Sequence, residues 1–308
     1  MGAGSSVPMC GGCVAAQRAD LRMMQGGTPA SIKALPQQTQ PDPLAVQEVP
    51  DSMRALQADA SSYQTEVEGE GFTFRRFLTS GGKRVSHWHD VPLRGTRGFL
   101  NAVIEIPRKT RAKMEMTTTE ELAPIKQDVK KNKLRDYAVD IEWNYGAFPQ
   151  TWEQPDHAWS GLDGHRGDND PLDLVDLSSI STPSGSVIEV KVVAVLAMID
   201  EGEVDWKVIV INAEDPKAAL VNDLEDCERQ FPGQIERVRE WFMWYKAIDG
   251  LPGDGPLGSN RIEGKEPNVF GFDGKALSRD KAIEVVEETH AAWKALSRGA
   301  VPANGLKL

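Results

Sequence analysis

Residues 167–176, GDNDPLDLVD, hold four aspartates and no Lys or Arg. Two like charges 4 Å apart repel by about 4 kcal/mol even at an effective dielectric of 20. Pro171, Leu172, Leu174 and Val175 nevertheless pull the same stretch toward a core. Such crowding is best offset by a multivalent cation. An EF-hand is excluded: counted from Asp168, its fifth and sixth positions hold Leu172 and Asp173, where the loop needs a ligand and a glycine. Carboxylates without His or Cys partners favour hard cations such as Mg²⁺ or Mn²⁺.

Further charges sit at strand spacing. In RAKMEM, Lys113 and Glu115 share one face; in EGEVDWKVIVI, Asp205 and Lys207 do the same. Each pair taken alone fits a solvated strand face. Together, acids and lysines interleaved with large apolar residues suit a cavity better. Lys113, Arg135, Lys207 and Lys246, with the phenols of Tyr145 and Tyr245, make a set of phosphate donors. Acids, a metal and these cations describe phosphoryl transfer, in which catalysis is largely positioning and charge neutralisation. No Walker-type loop, kinase signature or G-x-S-x-G is present.

The elements that must position these groups change character along the chain. From about residue 62, FTFRRFL, FLNAVIEIP, AKMEM, VIEVKVVAVLAMI and WKVIVI read as strands bounded by Gly and Pro. Beyond residue 214 the period becomes helical. Asp215-Pro216 reads as a helix start, with Leu220 and Leu224 on one face. Residues 233–246 carry an apolar stripe at 235, 238, 242 and 245, and a last helix is expected over about 280–297. The pattern is α+β, with strands expected to curl into a barrel.

The 308 residues carry a net charge of −11, which argues against a nucleic-acid partner. Three cysteines cannot build a disulfide framework, and no apolar run is long enough to span a bilayer. Residues 1–61 are rich in Gly, Ser, Ala, Pro and Gln and read as a disordered extension, with at most a short helix near 14–24, ahead of a catalytic domain over 62–308. MGAGSS fits the pattern for acylation of Gly2, with Cys10 and Cys13 as further sites and a weak membrane tether as the consequence. A cleaved organelle-targeting segment and a passive tail are the rival readings. The expected location is the cytoplasm, with organelle import or membrane tethering as alternatives.

HWHDVPL, AVIEIPRKTRAKMEM, PIKQDVKKNKLR, NYGAFPQTWE, GDNDPLD, LAMIDEGEVDWKVIVIN and FPGQIERVREWFMWYK together resemble the soluble inorganic pyrophosphatases of family I, in their longer eukaryotic form. The similarity runs from about residue 62 to about 297. It implies a five-stranded OB-like β-barrel with flanking α-helices, hydrolysing pyrophosphate to two phosphates with Mg²⁺. Asp168, Asp173 and Asp205 would bind the tightest metal, with Asp173 bridging to a second. Asp170 would hold the attacking water and act as base. Glu115, Asp200 and Asp205 would take metals arriving with substrate, and Glu105 would lie in the outer shell. Lys113, Arg135, Tyr145, Lys207, Tyr245 and Lys246 would hold the phosphate groups.

The resemblance departs between KLR and NYG, which is short here, and Ile141 stands where a pocket tyrosine is expected. Tyr137 carries no functional signal of its own. The five histidines read as structural or exposed, and Cys227 as a buried helix residue. A homodimer is expected, with Trp88 or Trp244 available for an interface.

Overall fold

Strand alternation dominates the first two-thirds of the folded chain. The computed structural model describes residues 60–250 and 257–308. The expectations for the extension, including acylation at Gly2, Cys10 and Cys13, fall on residues 1–59 and lie outside the described residues. The principal strands are β1 (Tyr63–Glu68), β2 (Arg75–Ser80), β3 (Leu100–Ile106), β4 (Met114–Met116), β5 (Ile125–Gln127), β6 (Asp136–Ile141), β7 (Asn144–Ala147), β8 (Asp173–Asp176), β9 (Val187–Asp200) and β10 (Glu203–Asn212). The helices are α1 (Leu224–Gln230), α2 (Gln234–Trp244) and α3 (Arg279–Ser297). This is a sheet-rich α+β fold.

The pairings of the largest sheet close on themselves. β10 pairs in parallel with β8, β8 antiparallel with β7, β7 with β3, β3 with β9, and β9 returns to β10. β9 can serve two neighbours because it is 14 residues long and carries a bulge between Val192 and Ala194, which bends it. Its interior is almost wholly buried, which explains the unbroken apolar run VVAVLAMI. At Gly146 a Cβ would lie 2.0 Å from the Val103 carbonyl oxygen, so only glycine lets β7 approach β3. A second sheet joins β1, β2, β5 and β4, and sets Glu115 opposite Lys126.

α2 buries Ile235, Val238 and Phe242 of the expected stripe together with Trp241, and Tyr245, the stripe's last member, follows directly after it. α3 begins at a Ser278 cap that accepts from the Lys281 amide, and it packs along β9. Cys227 is buried in α1. No helix among the described residues is long and apolar enough to cross a membrane.

Two expectations are corrected. No helix begins at Asp215: its carboxylate accepts from the Lys217 amide at 2.8 Å and from Ser179, closing a turn. Only a 3₁₀ turn at Ala218–Leu220 follows, and the α-helix starts where Asp223 accepts from the Asp226 amide. Trp88 is unavailable for an interface, because it is fully buried and its Nε1 donates to the Thr151 carbonyl at 2.7 Å.

Candidate active site

The aspartate-rich loop precedes β8 and is clamped to residues 148–153. Asn169 donates its amide to the Glu153 carbonyl at 2.9 Å, and Glu153 returns its own amide to the Asp170 carbonyl at 2.9 Å. Asn169 takes the left-handed conformation (φ 74°), which asparagine tolerates. Its side-chain oxygen accepts from Trp152 Nε1 at 3.1 Å. A Cβ on Gly167 would sit 2.4 Å from the Glu153 carbonyl, so this glycine lets the two segments touch. The clamp sets Asp168 and Asp170 at a fixed height beside Glu153.

The parallel register places Asp173 of β8 beside Lys207 of β10. Asp205 lies two residues before Lys207, on the same face. Lys207 is 1% exposed, and it donates to Asp173, to Asp205 and, at 3.1 Å, to the Tyr145 hydroxyl. Burial works against its charge, yet Asp173 and Asp205 hold the ammonium well above its ordinary range. Across the cavity, Lys113 pairs with Glu115 at 2.6 Å and with Asp128 at 3.2 Å. Asp128 also pairs with Arg135, so one acid orients both cations. Lys246 and the Tyr245 hydroxyl meet the same oxygen of Asp200.

Apart from Asp128, the side chains around Lys207, Lys113 and Lys246 line a single cavity of about 400 Å³. All thirteen residues singled out from the sequence border it: Glu105, Lys113, Glu115, Arg135, Tyr145, Asp168, Asp170, Asp173, Asp200, Asp205, Lys207, Tyr245 and Lys246. Ile141 does not; it is fully buried in the core beneath. The lining also includes Glu201, Glu203 and Lys126, giving nine carboxylates against five cations.

That imbalance is visible in the proton affinities. Burial, then Asp205, Asp170 and Asp173, holds the Asp168 carboxyl well above its usual range. Burial raises Asp205 to about 7, although Lys207 pulls it down. Asp170 opens onto the cavity solvent, but the dense protein around it, with Asp173 and Glu115, pushes it up to about 7. Glu105 is raised by burial and by Asp173, while one of its oxygens accepts from the Met116 amide at 2.6 Å.

Two contributors went unsignalled in the sequence. Glu153 is fully buried; Oε1 accepts from the Trp206 amide at 3.1 Å, and Oε2 has no partner among the described residues. One oxygen each from Glu153, Asp168 and Asp205 lie within 4.8 Å of one another. An all-carboxylate cluster with an unpartnered buried oxygen fits a hard divalent cation. Asp128 is the other. Its place in PIKQDVKKNKLR was noted, but its contacts with Lys113 and Arg135 depend on the folded loop.

Comparison with known proteins agrees with this geometry. Residues 102–294 match the family model described as inorganic pyrophosphatase. The chain is 45% identical over 285 residues to soluble inorganic pyrophosphatase 1, chloroplastic, of Chlamydomonas reinhardtii, covering 92% of this chain and 95% of that one. It is 44% identical over 260 residues to soluble inorganic pyrophosphatase 6, chloroplastic, of Arabidopsis thaliana, covering 84% and 82%. Among solved structures, the type I inorganic pyrophosphatase of Toxoplasma gondii superposes with a TM-score of 0.67 at 43% identity, over 76% of this chain and 99% of that one. The chain belongs to the inorganic pyrophosphatase family.

Proposed function

We propose that this protein hydrolyses inorganic pyrophosphate to two phosphates with Mg²⁺ as cofactor. The observation that carries the reading is the cavity's charge: nine carboxylates and five cations converge on one space. A polyanion cannot enter a net negative cavity unless divalent cations come between substrate and acids. The roles of the residues are part of the proposal. Asp168, Asp173 and Asp205 would hold the metal, joined by Asp200 and Glu115, with Glu105 behind them. When bound, the metal supplies positive charge for the phosphate oxygens and lowers the pKa of water.

The remaining work falls to the chain's own side chains. Asp170, whose carboxylate opens onto the cavity, accepts the proton of the attacking water. The water oxygen bonds to phosphorus as the bridging P–O bond breaks. Lys113 and Arg135, oriented by Asp128, neutralise the charge that grows on the departing phosphate. Lys207, Lys246, Tyr145 and Tyr245 fix the other oxygens. Burial keeps both phenols protonated, so they act as donors.

The closed ring of β3, β7, β8, β10 and β9 supports the OB-like barrel. A homodimer belongs to the same reading, without Trp88. The two relatives named chloroplastic favour organelle import over the cytoplasm, with residues 1–61 as the extension ahead of a catalytic domain over 62–308. Mass spectrometry of the mature N-terminus separates a cleaved arm from an acylated one. The function itself is tested by phosphate release from pyrophosphate, tripolyphosphate and ATP with Mg²⁺. Pyrophosphate should be strongly preferred; equal turnover of ATP would refute the substrate assignment.

A further inference from the structure

The crowded acids of GDNDPLDLVD have a counterpart of opposite sign. Residues 129–135, VKKNKLR, hold four cations and no acid, in a chain whose net charge is −11. They fold as a hairpin of two short antiparallel strands, Val129–Lys130 and Lys133–Leu134. The register sets Lys130 directly opposite Lys133. Like charges facing each other across a strand pair repel and weaken it. Between them, Lys131 and Asn132 turn the chain at φ 52° and 57°. A turn of this kind favours asparagine and glycine, so a lysine at its first position destabilises the hairpin further.

No acid on the described protein answers this charge. Lys130, Lys131 and Lys133 are all exposed, and none makes an ion pair or a side-chain hydrogen bond among the described residues. Asp128, two residues before Lys130, is already spent on Lys113 and Arg135. The base of the hairpin lies at the active site: the Arg135 amide donates to the Asp128 carbonyl at 2.8 Å, and Arg135 borders the cavity. Lys126, on the other side of Asp128, borders it too. Its partner Glu120, at 2.9 Å, is also gripped by Nε and Nη2 of Arg75, so Lys126 keeps a surplus of positive charge. Positive charge therefore runs along the chain from the exposed turn down to the cavity wall.

We propose that the Lys130–Lys133 hairpin is an electrostatic guide that draws the anionic substrate to the cavity. The assignment rests on the pyrophosphatase reading. A cavity lined by nine carboxylates and five cations repels an approaching anion, and pyrophosphate with one Mg²⁺ bound still carries negative charge. Exposed charge of the opposite sign beside such a cleft raises the local concentration of the ligand and speeds its arrival, by roughly 10- to 1,000-fold. The hairpin acts before the substrate is seated; Lys113, Arg135 and Lys207 act after. Its effect therefore belongs to association and must fade as salt screens it.

The experiment compares full-length wild type with two triple variants. One carries Lys130→Gln, Lys131→Gln and Lys133→Gln; the other carries Lys83→Gln, Lys275→Gln and Lys294→Gln, at exposed lysines that do not border the cavity. Both lose the same net charge. Steady-state kinetics with Mg-pyrophosphate and the stopped-flow association rate of imidodiphosphate, a non-hydrolysable analogue, are measured from about 20 mM to about 500 mM salt, over which the screening length falls from about 20 Å to about 4 Å. At low salt the hairpin variant should lose about tenfold in kcat/KM and in association rate, with kcat within about twofold of wild type. At high salt the two proteins should converge. The hairpin variant should melt no lower than wild type, because the repulsion between Lys130 and Lys133 is gone. The second triple variant should follow wild type at every salt concentration. A hairpin variant with an unchanged salt dependence would overturn the guide, as would an equal loss in the second triple or a loss that persists at high salt. A wild-type protein unable to hydrolyse pyrophosphate would instead defeat the function itself, a result distinct from an active wild type with an unaffected hairpin variant.

Discussion

Asp173 and Asp176 stand at the two ends of one four-residue strand, and the protein treats them in opposite ways. Asp176 is fully buried and accepts four hydrogen bonds: from Asn144 Nδ2 (2.8 Å), the Ser178 amide (3.0 Å) and hydroxyl (2.8 Å), and the Asn212 amide (2.9 Å). Every donor is neutral. Asp173 pairs with Lys207 and accepts from the Tyr145 hydroxyl, while Asp168, Asp170, Asp205 and Glu153 crowd the same region with further negative charge. An aspartate that only holds the fold is given neutral donors by that fold. An acid cluster left to repel itself is kept for a ligand that is absent from the polypeptide.

The contrast is broken most severely by removing charge at each end in turn. Asp170→Asn should lower turnover by roughly 10³-fold, within the range of a lost general base, with a melting temperature no lower than that of wild type. Asp176→Asn should do the reverse. Orphaning part of its hydrogen-bond set costs about 1–3 kcal/mol of stability, while turnover per folded molecule stays near wild type. An active Asp170→Asn enzyme would remove Asp170 from the base role.

Lys207→Met is the next largest. Leaving Asp173 and Asp205 buried without their counter-charge should destabilise the metal-free protein by roughly 3–5 kcal/mol, read from urea unfolding in EDTA. Mg²⁺ should recover more of that loss in the variant than it adds to wild type. Equal effects in both proteins would mean that these acids do not face the metal.

A smaller effect separates the acids by pH. Asp170 and Asp205 keep protons up to about 7 in the folded state, whereas an unfolded aspartate loses them near 3.9. Because the folded pKa is raised, this contribution to stability is present at low pH and is lost as pH rises from about 4 to about 7 in metal-free protein. His87, buried and lowered to about 4, has the opposite sign and loses stability as pH falls below about 6.5. His87 is the same with or without metal, so the gain in melting temperature on adding Mg²⁺ isolates the carboxylates. That gain should be small at pH 5 and should grow through pH 7. A gain independent of pH would mean that the metal does not compete with protons at these acids.

Much of this site was legible before the fold. Lys113 with Glu115, and Asp205 with Lys207, announce themselves because strand alternation puts residues two apart on one face, and β4 and β10 are regular strands. Tyr137 went unsignalled, because DYAVDI was not read as a strand. What lies inward of it depends on Trp241 and Tyr245, about a hundred residues later, which no local pattern contains. Glu153 was hidden for a related reason: it reaches Asp168 only through the backbone clamp permitted at Gly167. Asp215 misled because an aspartate before a proline serves a turn and a helix cap equally well, and the choice falls to Ser179 on a distant loop. Trp88 looked available because its partner, the Thr151 carbonyl, lies 63 residues away.

Diffraction from crystals grown with Mn²⁺ tests the central claim most directly, because the ion is located by its anomalous signal. The account predicts a peak inside the cavity, coordinated by the carboxylates of Asp168 and Asp205. Crystals saturated with Mn²⁺ that show no peak in the cavity, with the acids still crowded together, would contradict it.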